Sequence, residues 1–172
     1  MTHTGDDALQ QTVELAVAAE QIGIDGAFVR VHHFARQLSS PFPLLAAIGI
    51  KTRRIEIGTG VIDMRYENPL HVAEEAAAAD LLAGGRLELG LSRGSPEPAW
   101  LGAEAFGYPV DSNDARDKTA LFRKAISGAG VVAADIGGKP GGAHACRATA
   151  VAGTCRQDLV GIRNARVGSM GR

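Results

Sequence analysis

The chain has 172 residues, 18 basic against 19 acidic side chains and 45% apolar residues, enough to bury one core in one domain. A formal net charge of −1 argues against a nucleic-acid or membrane-surface binder, which usually shows a basic stripe, and no apolar run reaches the roughly 20 residues of a membrane helix. The polar, acidic opening from Met1 to Asp7 does not read as a signal peptide, so a soluble, cytoplasmic globular protein is expected.

In chain order, Asp6 or Asp7 can cap a helix whose apolar positions Leu9, Val13, Ala16 and Val17 recur at helical spacing, with Gly23 as its stop. Residues 27–31 read as a strand that ends at His32-His33. Residues 43–50 form a short apolar helix, and 54–61 the next strand. Asn68 caps a helix with Pro69 in its first position, and Gly84-Gly85 ends it. Residues 86–91 are a third strand, ending at Ser92-Arg93-Gly94. A loop with Pro96, Pro98 and Pro109 leads to a helix near 115–126. Strands alternating with helices predict an α/β fold with crossovers and a parallel sheet.

The strand period of two divides each strand into two faces. Ala27, Val29 and Val31 oppose Phe28, Arg30 and His32; Ile55, Ile57 and Thr59 oppose Glu56, Gly58 and Gly60; Leu87, Leu89 and Leu91 oppose Glu88, Gly90 and Ser92. The aliphatic faces are expected to meet the helices. The other faces would bring Arg30, Glu56 and Glu88 into a paired charge cluster, with Gly58, Gly60 and Gly90 leaving room above it. A charged interior face suits a barrel, with its site at the strand C-termini, better than a doubly wound sheet.

The chemistry is therefore expected at His32-His33, from Gly60 to Met64, and at Ser92-Arg93-Gly94. Adjacent histidines on a strand cannot face one way, which favours His32 as the one facing the site. It is either a structural histidine or a proton donor and acceptor near neutral pH. Arg93 is either a surface ion-pair member or a clamp for an anion such as phosphate. Gly58-Thr59-Gly60 lacks the spacing of a dinucleotide fingerprint and opens no helix; it suits close approach of a flat ligand to the backbone. Glu74-Glu75 and Arg53-Arg54 read as solvated faces.

The chain changes character near residue 132. Residues 1–132 carry 12 basic and 17 acidic side chains, and 133–172 carry 6 and 2. All aromatics lie at or before Phe122, whereas Cys146 and Cys155 lie after it. Residues 133–172 are expected to be an irregular or disordered tail. The two cysteines suggest no zinc site, since only His144 lies near them. Back-translated with GC-rich codons and shifted forward by one nucleotide, residues 146–172 permit a string with three tryptophans, the last forced by Met170-Gly171. A change of reading frame near 133–145 is expected.

The linked set of Ala19-Glu20-Gln21-Ile22-Gly23-Ile24-Asp25, the strand ending His32-His33-Phe34, Arg54-Ile55-Glu56-Ile57-Gly58-Thr59-Gly60-Val61, Asn68-Pro69-Leu70 with Ala73-Glu74, and Gly85-Arg86-Leu87-Glu88-Leu89-Gly90-Leu91-Ser92-Arg93-Gly94 closely resembles the bacterial luciferase-like flavin-dependent monooxygenase family over roughly residues 6–126. The shifted string also resembles a later segment of that family. The resemblance implies a TIM (β/α)8 barrel, which takes about 250 residues. Residues 1–132 would supply the βα units of family strands two to four, a partial barrel, with the first strand expected before Thr4 and the later ones beyond 132.

The resemblance further implies reduced FMN and dioxygen acting on a small organic substrate, a flavin reductase as a possible supplier, and a homodimer. In a cousin branch the cofactor is F420. It places His32 near the flavin as an acid/base. Gly60 and Val61 would lie against the isoalloxazine ring, with a cis peptide common there. Arg93, beside Ser92, would meet the flavin phosphate. Val31 stands where many members carry Glu, and Ser92 where luciferase has a reactive Cys, so light emission is not implied. Two functions follow: a flavin-dependent monooxygenase, or a non-catalytic truncated fragment of one with open sheet edges.

Overall fold

A computed structural model describes residues 5–33, 40–94, 106–107, 112–129, 131–134 and 144–146. The elements run α1 (Gly5–Gln21), β1 (Gly26–Val29), α2 (Pro41–Lys51), β2 (Glu56–Asp63), a single 3-10 turn (Met64–Tyr66), α3 (Pro69–Leu82), β3 (Leu87–Ser92), α4 (Ser112–Ile126), β4 (Val132–Ala134) and β5 (His144–Cys146). β1, β2 and β3 form one sheet in that order, with β2 parallel to both neighbours. Among the described residues no helix is long and apolar enough to cross a membrane.

Each element has a local cause. Asn68 caps α3: its Oδ1 accepts the N–H groups of Leu70 at 3.0 Å and His71 at 3.2 Å, and Pro69 occupies the first turn, where its missing N–H costs nothing. α2 begins at Pro41, two residues earlier than the sequence reading placed it, because Pro41 and Pro43 both fit the first turn of a helix. The aliphatic strand faces meet the helices as expected. Ile55, Ile57, Thr59, Leu87, Leu89 and Leu91 are buried, and Leu45, Ile48, Val72, Ala76 and Phe122 of the helices complete the core. Ala27, Val29 and Val31 pack against it in part.

The opposite sheet face is open among the described residues, and here the charge cluster expected from the sequence does not form. Arg30 pairs with neither Glu56 nor Glu88; the ion pairs among the described residues include His33–Glu67, Arg54–Asp25, Arg65–Asp63 and Lys118–Asp114. Arg30 and Glu56 are exposed, so water solvates them and burial enforces no pairing. The glycines also differ from expectation. The Phe28 ring, itself 56% exposed, lies where a Cβ on Gly26 or Gly58 would go, and the Val61 side chain covers Gly90.

The segment after residue 132, read as irregular, includes the short antiparallel pair of β4 and β5, with Val132 opposite Cys146 and Ala134 opposite His144. The frame change and the remainder of that tail lie outside the described residues.

Candidate functional site

Parallel pairing brings the C-terminal ends of β1, β2 and β3 to one edge of the sheet, where open α/β sheets hold their ligands. The decisive local feature is in β2. Its register against β3 slips between Thr59 and Ile62, a bulge that breaks the alternation. Thr59 and Ile62 are both buried, and the two residues between them, Gly60 and Val61, are both exposed. A strict strand would have turned one of them into the core. The peptide bond between them is cis, as the resemblance implies. A Cβ placed on Gly60 would meet a single atom within 4 Å, the Cβ of Phe28 at 3.9 Å. Of the three glycines expected to leave room, Gly60 alone leaves bare backbone beside open space.

The chain beyond β2 is braced. Asp63 accepts the N–H of Arg65 at 3.0 Å, capping the 3-10 turn, and its carboxylate holds the guanidinium through Nε at 3.0 Å and a terminal nitrogen at 2.6 Å. Lys118 of α4 donates to the Arg65 carbonyl at 2.8 Å and pairs with Asp114 at 3.0 Å. The Arg65 guanidinium rests on Gly94, where a Cβ would collide with it. This ties the end of β2 to the end of β3. At the latter, Ser92 lies opposite Asp63 and its Oγ accepts the Gly94 N–H at 3.1 Å. Arg93 between them is exposed and makes no ion pair among the described residues.

The histidine pair sits at the same edge with roles different from those the strand period suggests. His33 is the engaged ring. Its Nε2 lies 3.0 Å from Glu67 Oε1, and it packs edge-on against Tyr66 and Phe106, with centroids at 5.5 and 5.2 Å. His32 is exposed. The physical reason is that β1 ends at Val29, so alternation no longer governs residues 30–33. His33, Pro41, Phe42, Glu67, Glu75 and Phe106 line a recess of about 380 Å³ between the first turn of α2 and α3. Burial, then the charge of Glu67, pushes the Glu75 carboxyl up from its ordinary value.

Sequence reasoning thus located the edge but missed Glu67, Tyr66 and Phe106. Glu67 is 34 residues from His33, and no local pattern links them. The Asp63 cap was legible in principle, since an Asp two residues before the bonded N–H is a common turn starter.

A family profile described as luciferase-like monooxygenase matches residues 1–135. The 4-hydroxyprotoasukamycin monooxygenase of Streptomyces nodosus subsp. asukaensis is 36% identical over 115 residues, 66% of this chain and 30% of that protein. An F420-dependent glucose-6-phosphate dehydrogenase of Gordonia bronchialis is 32% identical over 123 residues, 68% of this chain and 35% of that one. In fold, the oxygenating constituent of 3,6-diketocamphane monooxygenase from Pseudomonas putida, solved in complex with FMN, superposes with a TM-score of 0.62 at 20% identity, covering 70% of this chain and 34% of its own. The chain therefore spans about a third of the length of these relatives. Three parallel βα units with a bulged second strand, matched by that profile over more than half the chain, make this protein a member of the luciferase-like monooxygenase family.

Proposed function

We propose that the chain carries three consecutive βα units of a (β/α)8 flavin-dependent monooxygenase, acting with reduced FMN and dioxygen on a small organic substrate. The observation that best supports this is the bulge, which exposes Gly60 and Val61 together beside open space at the C-terminal edge. In this reading the bare backbone at Gly60-Val61 takes the flat ring. Arg93, exposed at the end of β3 next to Ser92, takes the phosphate through its guanidinium fork. The His32-His33 pair supplies an imidazole to hold or move a proton. When bound, a reduced flavin supplies the electrons with which dioxygen is activated. A homodimer and a separate flavin reductase belong to the same reading.

A second reading, F420 in place of FMN, is favoured by the F420-dependent relative that matches 68% of this chain. A third is a fragment without catalysis, favoured by the open face on which Phe28 stays 56% exposed. Titration of the full chain with FMN and with F420, each followed by cofactor fluorescence, separates the three. Saturable quenching of FMN is the expected outcome. Quenching of F420 alone turns the assignment to the cousin branch, and quenching of neither at high micromolar protein leaves the fragment.

A further inference from the structure

Thr52, Thr59 and Asp80 are the buried polar residues among those described. Two of them close helix ends. Thr52 donates to the Ile48 carbonyl at 2.7 Å as α2 ends, and Asp80 of α3 accepts the Leu87 N–H at 3.0 Å where β3 begins. Thr59 instead stands inside β2, on the same buried face as Ile57, and is the last paired residue before the register slips against β3. Valine has the same shape without a hydroxyl to desolvate, so burial alone does not account for a threonine here. Its partners do. Oγ1 accepts the Gly90 N–H at 3.2 Å and donates to the Gly90 carbonyl at 3.2 Å.

Gly90 is the β3 residue caught in the slip. Thr59 pairs with Leu89 and Ile62 with Leu91, so Gly60 and Val61 together lie across from Gly90 alone. In a regular parallel ladder, backbone groups of the next strand meet the N–H and C=O of a residue. At Gly90 one side-chain oxygen meets both. The fit is close: a Cβ on Gly90 would collide with the Thr59 carbonyl and the Val61 side chain. Without the bulge, alternation would turn Val61 into the core, yet it is 42% exposed.

We propose that Thr59 is a positioning residue whose hydroxyl latches Gly90 across the slip and so holds Gly60 and Val61 out on the open face. That these two residues meet a flavin rests on the reading above; the latch does not.

The test is amide hydrogen exchange by NMR on the ¹⁵N-labelled full chain, with FMN titrations of the same samples. In Thr59→Val the Gly90 amide should exchange about tenfold faster, the scale of one lost hydrogen bond. The amide resonances of Gly60 and Val61 should move, while those of Ile57 and Leu87, paired in the regular part of the sheet, stay in place. Thr59→Ser keeps the hydroxyl and should restore the wild-type pattern. FMN affinity should fall about threefold or more in Thr59→Val and recover in Thr59→Ser. Unchanged Gly90 exchange or unmoved Gly60 and Val61 amides in Thr59→Val overturn the latch, as does a Thr59→Ser variant that behaves like Thr59→Val. FMN bound equally by wild type and Thr59→Val overturns the positioning role. Should Thr59→Val fail to fold, Thr59→Ala and Thr59→Ser make the same comparison. The exchange data require no cofactor, so a wild-type chain that binds no FMN sinks the flavin reading while the amides still decide the latch.

Discussion

Glu20 accepts the backbone N–H groups of Ile55 at 2.8 Å, Arg54 at 2.6 Å and Arg53 at 3.0 Å. Those bonds, the one from Ile55 foremost, hold its carboxyl down to about 2 from an ordinary 4.5. A depressed carboxylate pKa stabilises the fold fully above the unfolded value, and that benefit fades as pH falls to the folded one. The urea midpoint of wild type should therefore exceed that of Glu20→Gln most above pH 4.5, with the gap closing toward pH 2; a gap constant across that window contradicts the assignment. Arg86 plays a similar part before β3, donating to the carbonyls of Ile55, Gly49, Thr52 and Ala83 at 2.7 to 3.1 Å. These contacts were not legible in the sequence. Glu20 and Arg86 stood out only inside a family pattern, since, Ala83 apart, their partners lie more than 30 residues away and leave no periodic trace. Gly58 was legible as a special position, but for a different reason: a Cβ there collides with the Glu88 carbonyl and the Phe28 ring. Gly58→Ala should cost about 1–3 kcal/mol by overpacking, read from the shift in the denaturation midpoint.

At the level of elements, the caps and the apolar periods carried the reading. Asn68-Pro69 marked the start of α3 to the residue, because the cap is a local hydrogen bond. Asn68→Ala should lower stability by about 1 kcal/mol, measured by urea unfolding, and a loss near zero would mean the cap is redundant. Helix α4 docks through Phe122, which is fully buried. Phe122→Ala should cost about 3–5 kcal/mol, whereas the exposed Arg116 tolerates the same change with little effect. What the sequence could not show is where regularity fails. The bulge between Thr59 and Ile62 depends on the register of β2 against β3, a long-range property. The end of β1 at Val29 likewise moved the engaged imidazole from His32 to His33. Both departures lie at the candidate site, where regular alternation is interrupted.

Across the whole molecule, a parallel sheet with one face covered by helices and one face open is half of a layered design. Phe28, Val61 and Gly60 all look out from the open face, and in the proposed barrel further strands would enclose it. The family profile stops at residue 135, close to where the charge and aromatic content of the chain change, and we propose a shift of reading frame there. Sequencing the gene across codons 130–172 should reveal a continuous second frame rich in tryptophan codons; stop codons in that frame would refute it. We propose, more narrowly, that a flat cofactor lies on the bare backbone at Gly60. Gly60 has room for a side chain and does not need a positive φ, so Gly60→Leu should fold while filling that room. The direct measurement is the FMN dissociation constant of this variant beside wild type and beside Arg53→Ala, placed before the opposite, N-terminal end of β2. FMN binding should weaken about tenfold or more in Gly60→Leu, equivalent to about 1.4 kcal/mol, and stay unchanged in Arg53→Ala. Equal affinity in Gly60→Leu and wild type would contradict it.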